Sequence, residues 1–301
     1  MKLNGIFIRL SSLVASIIIF LGCTTEDVDM MAEVKGDNTI KLSTKLQNTR
    51  AASNLQDTQI STDVLVAVYG LSDGNTIANG DNESYRVDEE GNLIAMNNTM
   101  TWPSSGNLCI YSYAPRQDQW NFTSTTKTFT VTTDQSSNEG YLASDLIYAV
   151  AKPSLQNTVS LGFVHKMARI SLMLKTNGST SLSDATVKIL NTLPSTTLSL
   201  GDGSLGSASG TSIPITMASD LALNAGGVIT LYAVVVPQTI IANTTFVEVT
   251  DGEESWKYCF SYDTQFESGQ SYAFTVNVGT NTVTSTISGN ATTPALAPEN
   301  K

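Results

Sequence analysis

Apolar and polar side chains alternate along most of this chain, and the alternation has the two-residue period of a strand whose side chains point to opposite faces. In residues 39–47, Ile40, Leu42, Thr44 and Leu46 fall on one face and Lys41, Ser43, Lys45 and Gln47 on the other, which predicts a half-buried strand. Residues 63–70 are apolar on both faces and predict a central strand. Further strands are expected at 108–113, 128–133, 145–151, 159–165, 168–175, 185–190, 228–236, 246–250, 256–262, 272–278 and 283–287. No segment carries a helical stripe of useful length. Short strands at this spacing predict an all-β chain built of sandwiches, with Asp251-Gly252 and Gly279-Thr280-Asn281 turning hairpins.

The alternation slips once. Val159, Leu161 and Phe163 share one parity, whereas Ala168, Ile170, Leu172 and Leu174 continue on the other, so a bulge or a strand break lies near His165. A chain of 301 residues exceeds one typical domain. The slip therefore divides the expected fold into an N-terminal β-sandwich, 39–165, and a C-terminal one, 166–301, with a short tail.

The first 22 residues have a different pattern. Lys2 and Arg9 precede an apolar run from Leu10 to Phe20, and Leu21-Gly22-Cys23 closes it. The run is short for a bilayer-spanning helix, which needs about 20 apolar residues, and it reads as a signal peptide over 1–22. Cys23 stands where a lipoprotein signal peptidase would cut, which makes it the expected lipidation site and the link to outer-membrane lipid. An ordinary secreted protein cut nearby is the alternative. Residues 23–38 form an expected unstructured linker, and its Glu26, Asp27 and Asp29 resemble the surface-export signal of Bacteroidales lipoproteins.

Without the leader the chain keeps 14 basic residues against 27 acidic, a net charge of −13, which repels nucleic-acid phosphates and anionic lipid. Nucleic acid is therefore not an expected partner. Cys109 and Cys259 each lie in an apolar strand-like run and are expected as buried thiols, because a disulfide would have to join segments assigned to different sandwiches.

Three motifs suggest catalysis and fail on context. Gly201-Asp202-Gly203-Ser204-Leu205-Gly206 fits GxGxxG, but the residues after it cannot form the helix that presents amides to a pyrophosphate. A hairpin loop is the expectation there. Ser124-Thr125-Thr126-Lys127 fits SxxK within a β-rich stretch where that serine would need to open a helix. His165 is the one histidine of the chain and has neither a nucleophile elbow nor a zinc set beside it, so it is expected as a hydrogen-bonded residue at a bulge. The stretches 73–90 and 134–140 hold hard oxygen ligands but match no calcium loop, and are expected as solvated turns. No catalytic residue, metal site or cofactor is expected.

A family resemblance rests on Asn48-Thr49-Arg50-Ala51, Trp102-Pro103, Ile110-Tyr111-Ser112-Tyr113-Ala114-Pro115, Asp145-Leu146-Ile147-Tyr148-Ala149, Phe163-Val164-His165-Lys166-Met167-Ala168-Arg169-Ile170 and Ser271-Tyr272-Ala273-Phe274-Thr275-Val276. In their order and spacing these segments resemble the fimbrillins, the type V pilins and Mfa-like proteins of Bacteroidales, from the lipoprotein cysteine to about Ile287. The resemblance implies two transthyretin-like β-sandwiches, export as a lipoprotein to the outer-membrane surface, and assembly with other fimbrial subunits into fimbriae that serve adhesion. It also implies that a trypsin-like surface protease cuts after an arginine that comes just beyond the first strand. Arg50, with Ala51 next to it, is the matching position, and the strand stripped away carries Ile40, Leu42 and Leu46. A groove with two unpaired edges then accepts an extended segment of the next subunit.

That donor segment is expected at the C-terminal end, where 283–287 is strand-like and Pro294 and Pro298 interrupt the chain beyond it. The absence of a long apolar extension leaves stalk, tip and anchor roles open. A second function class remains alongside: a non-polymerising surface lipoprotein that binds a glycan or a host or bacterial surface protein. Trp102, Trp120 and Trp256 would supply its stacking platform if exposed, and core packing if not.

Overall fold

The computed structural model describes residues 38–47, 56–121, 123–156, 158–279, 282–286 and 296–298. The signal peptide, Cys23, the linker up to residue 37, Arg50, Ala51, Thr280, Asn281, Ile287 and Pro294 lie outside the described residues. Strands dominate. In chain order they are β1 Lys41–Leu46, β2 Leu65–Ser72, β3 Asn75–Thr76, β4 Glu83–Val87, β5 Asn92–Ala95, β6 Leu108–Ala114 and β7 Thr126–Thr130, then helix α1 Asn138–Ser144, then β8 Ile147–Ala151 and β9 Thr158–His165. After them come β10 Ala168–Thr176, β11 Leu182–Ile189, β12 Ser195–Ser199, β13 Ile215–Leu223, β14 Val228–Val235, β15 Thr239–Ile240, β16 Thr245–Asp251, β17 Glu254–Phe260, β18 Thr264–Gln265, β19 Ser271–Val278, β20 Thr282–Thr286 and β21 Leu296–Pro298. The all-β expectation holds.

Strands before Lys166, β7 apart, make one eight-stranded sheet, in the order β3-β2-β4-β5-β1-β9-β8-β6, and β2 also pairs with β6. That extra ladder closes a circuit through β2, β4, β5, β1, β9, β8 and β6. Strand β2 is central, as its doubly apolar sequence predicts: every residue from Val66 to Leu71 is buried, and it meets β3, β4 and β6. Strands after Met167 make a four-stranded sheet, β14-β10-β19-β20, a five-stranded one, β13-β11-β16-β17-β21, and a short β15-β18 pair, while β12 pairs with β7. Asp251↔Glu254 closes the β16–β17 hairpin at the predicted Asp251-Gly252 turn.

The parity slip is a strand break. Strand β9 ends at His165 with its odd-numbered residues buried, β10 starts at Ala168 with its even-numbered ones buried, and Lys166 and Met167 carry the chain from one sheet to the other. Two ladders tie the halves back together. Strand β7 pairs with β12 over five residues, and the 133–135 segment bonds Thr216, with Thr216 N donating to Thr133 O at 2.8 Å and Gln135 N to Thr216 O at 2.9 Å. The buried Gln135 side chain reads the β14 backbone in both directions, accepting from Val234 N at 2.8 Å and donating to Val234 O at 3.0 Å. One hydrophobic cluster runs through the whole set, from Ile40 to Val278.

Local chemistry explains what the periodicity misses. Helix α1 occupies part of 134–140, which the sequence reading assigns to a solvated turn; Ser137 caps it by accepting from Gly140 N at 3.2 Å, and it buries Tyr141 and Leu142. Seven residues are too few to show a helical stripe. The 73–90 stretch, also read as loop, contains β3 and β4, whose Tyr85 and Val87 are buried. Asn38, placed at the end of the linker, is already paired: its Nδ2 donates to Trp102 O at 3.0 Å.

The GxGxxG string is a hairpin loop, as expected. Gly203 N donates to Ser199 O at 2.8 Å and Gly206 N to Thr197 O at 2.8 Å. The loop leans on Tyr148 of β8, whose hydroxyl donates to Leu200 O at 2.8 Å. Gly203 sits at φ +70°, and a Cβ there would lie 2.2 Å from the Tyr148 ring, whereas a Cβ at Gly201 would meet nothing within 4 Å. Gly203→Ala is therefore expected to cost about 2 kcal/mol or more and Gly201→Ala about 0.5 kcal/mol or less, read as the shift in urea midpoint at constant slope.

Candidate strand-exchange site

Strand β1 is internal to its sheet although it lies near the start of the described chain. On one side it runs parallel to β9 over six residues, from Lys41↔Thr158 to Leu46↔Phe163, and Gln47 N extends the ladder to Phe163 O at 2.7 Å. On the other side it is antiparallel to β5 at Leu42↔Leu93 and Ser43↔Asn92, and Thr44 gives both its N and its Oγ1 to Gly91 O, at 2.7 and 3.0 Å. Further towards the N-terminus the partner changes. Ile40 N donates to Met100 O at 2.8 Å, Thr39 bridges Thr101, and Trp102 N donates to Asn38 O at 2.9 Å. A cavity of about 440 Å³ fills the step between the two partners, lined by Ile40, Leu42, Tyr85, Leu93 and Ala95 among others. Burial raises the Tyr85 hydroxyl pKa, against a smaller lowering by its bond from Met100 N.

The faces match the sequence pattern. Ile40, Leu42 and Leu46 are 1%, 3% and 6% exposed, and Lys41 and Lys45 face solvent. Burying three such side chains is worth roughly 5–9 kcal/mol in all, at about 1.5–3 each. That rivals the net stability of a typical domain, about 5–15 kcal/mol.

Two polar residues at the far side of the 48–55 stretch escaped the sequence reading. Gln56 and Asp57 are both buried. Gln56 Nε2 donates to Asp145 Oδ2 at 3.2 Å, Asp145 Oδ1 contacts His165 Nδ1 at 3.0 Å, and Asp57 forms an ion pair with Arg169 Nη1. Arg169 Nε also donates to Ser271 Oγ at 3.0 Å, and its guanidinium lies 5.5 Å from the Tyr232 ring centroid. The one visible signal was a charge inside an apolar strand, at Arg169.

The other sequence candidates separate in space. His165 is a buried hydrogen-bonded residue at a strand end rather than at a bulge. Ser124 and Thr126 are exposed at the start of β7. Trp102 and Trp120 are buried and Trp256 is half-buried against the core, so the three do not form an exposed platform. Cys109 and Cys259 are both buried, on β6 and β17, and no disulfide joins the two. The Asp88 carboxylate accepts from Glu90 N and Asn92 N, at 3.0 and 2.7 Å, and that of Asp134 from Ser136 N at 3.0 Å. Hydrogen bonds from the Asn92 and Ser136 side chains lead in holding these two carboxyls below their ordinary pKa. No group of three or more metal-ligating side chains occurs among the described residues.

The described residues form a closed β circuit with its first strand as an internal member, an all-β class of fold, and similarity to known proteins gives the family. The fimbrillin-like family model matches residues 49–293, and the chain belongs to that family. Solved structures share the fold. A candidate cell adhesion protein of Bacteroides ovatus is 19% identical, with a TM-score of 0.64, over 89% of this chain and 99% of that one. One of Bacteroides uniformis is also 19% identical, with a TM-score of 0.58 and coverage of 82% and 94%, and one of Bacteroides fragilis is 12% identical, with a TM-score of 0.51 and coverage of 88% and 98%. No curated protein matches the chain.

Leu42→Ala is expected to destabilise the fold by about 2–5 kcal/mol through the cavity it leaves, and Lys41→Ala by no more than about 0.5 kcal/mol, in denaturant titrations monitored by tryptophan fluorescence. Equal effects would mean that β1 is not seated as described.

Proposed function

We propose that this chain is a lipid-anchored surface subunit, structural or accessory, of type V-like fimbriae, and that it assembles by protease-triggered donor-strand exchange in the service of adhesion. The observation that carries the reading is the position of β1: it is an internal strand, it precedes all the other described strands, and a single cut after it would leave it attached through hydrogen bonds and packing alone. Its departure would expose the facing edges of β5 and β9. An extended segment of another subunit, carrying apolar side chains at alternate positions, has the chemistry to fill that gap. Cutting and exchange are separate steps, because the roughly 5–9 kcal/mol of apolar burial still holds the cut strand in place.

The arginines support Arg50 as the processing point. Once Arg9 is removed with the leader only Arg50, Arg86, Arg116 and Arg169 remain. Arg86 sits within β4, opposite Leu65 on one side and Ile94 on the other. Arg116 donates from Nε to Asn82 O at 3.1 Å and pairs with Asp118. Arg169 is buried in its ion pair. A protease that needs an extended loop would have to open a ladder at Arg86 and a buried ion pair at Arg169, and at Arg116 the bonds from its backbone N to Leu65 O at 2.8 Å and from its Nε to Asn82 O.

The C-terminal strands support a donor role, since β20 and β21 lie at the edges of their sheets, on β19 and β17. Edge strands can leave without opening a sheet. Pro298 is compatible with such an edge. We take the sheets on either side of Lys166 to be the two sandwich domains, the anchor to be lipid on Cys23 at the outer-membrane surface, and the partners to be other fimbrial subunits and a ligand on a host or bacterial surface.

Arg50→Ala is expected to leave a folded, membrane-bound precursor that enters no fimbriae, as read by mass spectrometry of the envelope protein and by shear fractionation. Normal incorporation of that variant would make β1 permanent and favour an anchor or a non-polymerising lipoprotein. Cys23→Ala is expected to move the protein from the membrane fraction to the soluble one, and unchanged fractionation would remove the anchor.

A further inference from the structure

Gln56 and Asp57 are the first described residues beyond Arg50, and they are held more firmly than a loop requires. Gln56 is 4% and Asp57 3% exposed. Polar groups leave water at a cost unless they are bonded, and here each finds partners remote in sequence. Gln56 uses both ends of its amide: Nε2 donates to Asp145 Oδ2 at 3.2 Å and to Asp145 O at 3.5 Å, and Oε1 accepts from Ser61 N at 3.4 Å. Its backbone is in the left-handed region, at φ 49°, which a side chain adopts when its own bonds hold it there. The Asp57 carboxylate meets the Arg169 guanidinium, which Ser271 and Tyr232 orient from two other strands. Further along the same segment Ile60 and Val64 are buried as well.

The geometry points to a hook: we propose that Gln56 and Asp57 are positioning residues that retain the N-terminus created by cleavage and mark where the departing strand ends and the permanent chain begins. This rests on the reading that a cut after Arg50 frees β1. In the uncut chain residues 56–64 are tethered at both ends, by β1 and by β2. After the cut the upstream tether is gone. The new terminus is then held covalently only on its β2 side, and fraying from it that reached β2 would take apart the ladders to β3, β4 and β6. The hook stops this at Gln56 and Asp57. It also fastens the new terminus to β9, the wall of the vacated groove, since His165 at the end of β9 shares Asp145 with Gln56.

The test uses the full-length chain with a site for a sequence-specific protease inserted between Arg50 and Ala51, so that the result does not depend on whether cells cut at Arg50. Amide hydrogen exchange is read by mass spectrometry before and after cutting. On cutting, residues 38–47 are expected to exchange about tenfold faster or more, while 56–64 stay within about twofold of their uncut rate. Asp57→Asn takes the Asp57 counter-charge from the buried Arg169 guanidinium, and cutting this variant should lower protection at 56–64 by about tenfold or more relative to the same variant uncut. Should Asp57→Asn not fold, Gln56→Ala takes its place with the same expectation. Loss of protection at 56–64 in the cut wild type overturns the hook, and so do equal rates at 56–64 in the cut wild type and the cut variant. A protected 56–64 segment in a chain that cells never process would keep the hook and sink the exchange mechanism instead.

Discussion

Every backbone amide and carbonyl in a sheet needs a partner, and a sheet avoids exposed edges only by closing on itself. In the first half of this chain the closure depends on β1. Its neighbours β5 and β9 are brought to either side of it by chain that runs elsewhere: β5 by its antiparallel ladder to β4, β9 by a short ladder to β8. With β1 in place the circuit has no opening. Without it two edges face each other, one of them bordered by buried Leu93 and the other by buried Val159, Leu161 and Phe163. The ladders that close the sheet are therefore the ones that would lie open without β1.

Polar contacts, rather than apolar ones alone, set how the two groups of sheets meet. The cluster of apolar side chains passes from one group to the other without a break, but apolar contact is non-directional and fixes no register. Direction comes from Gln135, which bonds both backbone atoms of Val234, from Tyr148 on Leu200, and from Arg169 with Asp57. Burying an ion pair is weak evidence for stability, because desolvation offsets much of the attraction. What the pair does give is a contact between residues 112 positions apart, joining β10 to the chain just beyond the 48–55 stretch.

The sequence determined the class of the fold, the face of β1 and the break after His165, because each of these is a local matter of period. A strand with one buried face must alternate, and a change of sheet must interrupt the alternation. It missed β3, β5, β12, β15, β18, β21 and α1 because two to seven residues carry too little period to register, it missed the nine-residue β13 because register shifts against β11 break its alternation, and it assigned the acidic stretches to loops although β4 and the start of the capped helix lie within them. Only the tertiary structure decided that β1 is internal and parallel to β9, that β2 and β6 close the circuit, and that Gln56 and Asp57 are buried with Asp145 and Arg169. Those are pairings between residues about 36 to 117 positions apart. Pairing over such separations is selected by the packing of the whole core, and no window along the chain carries its signature.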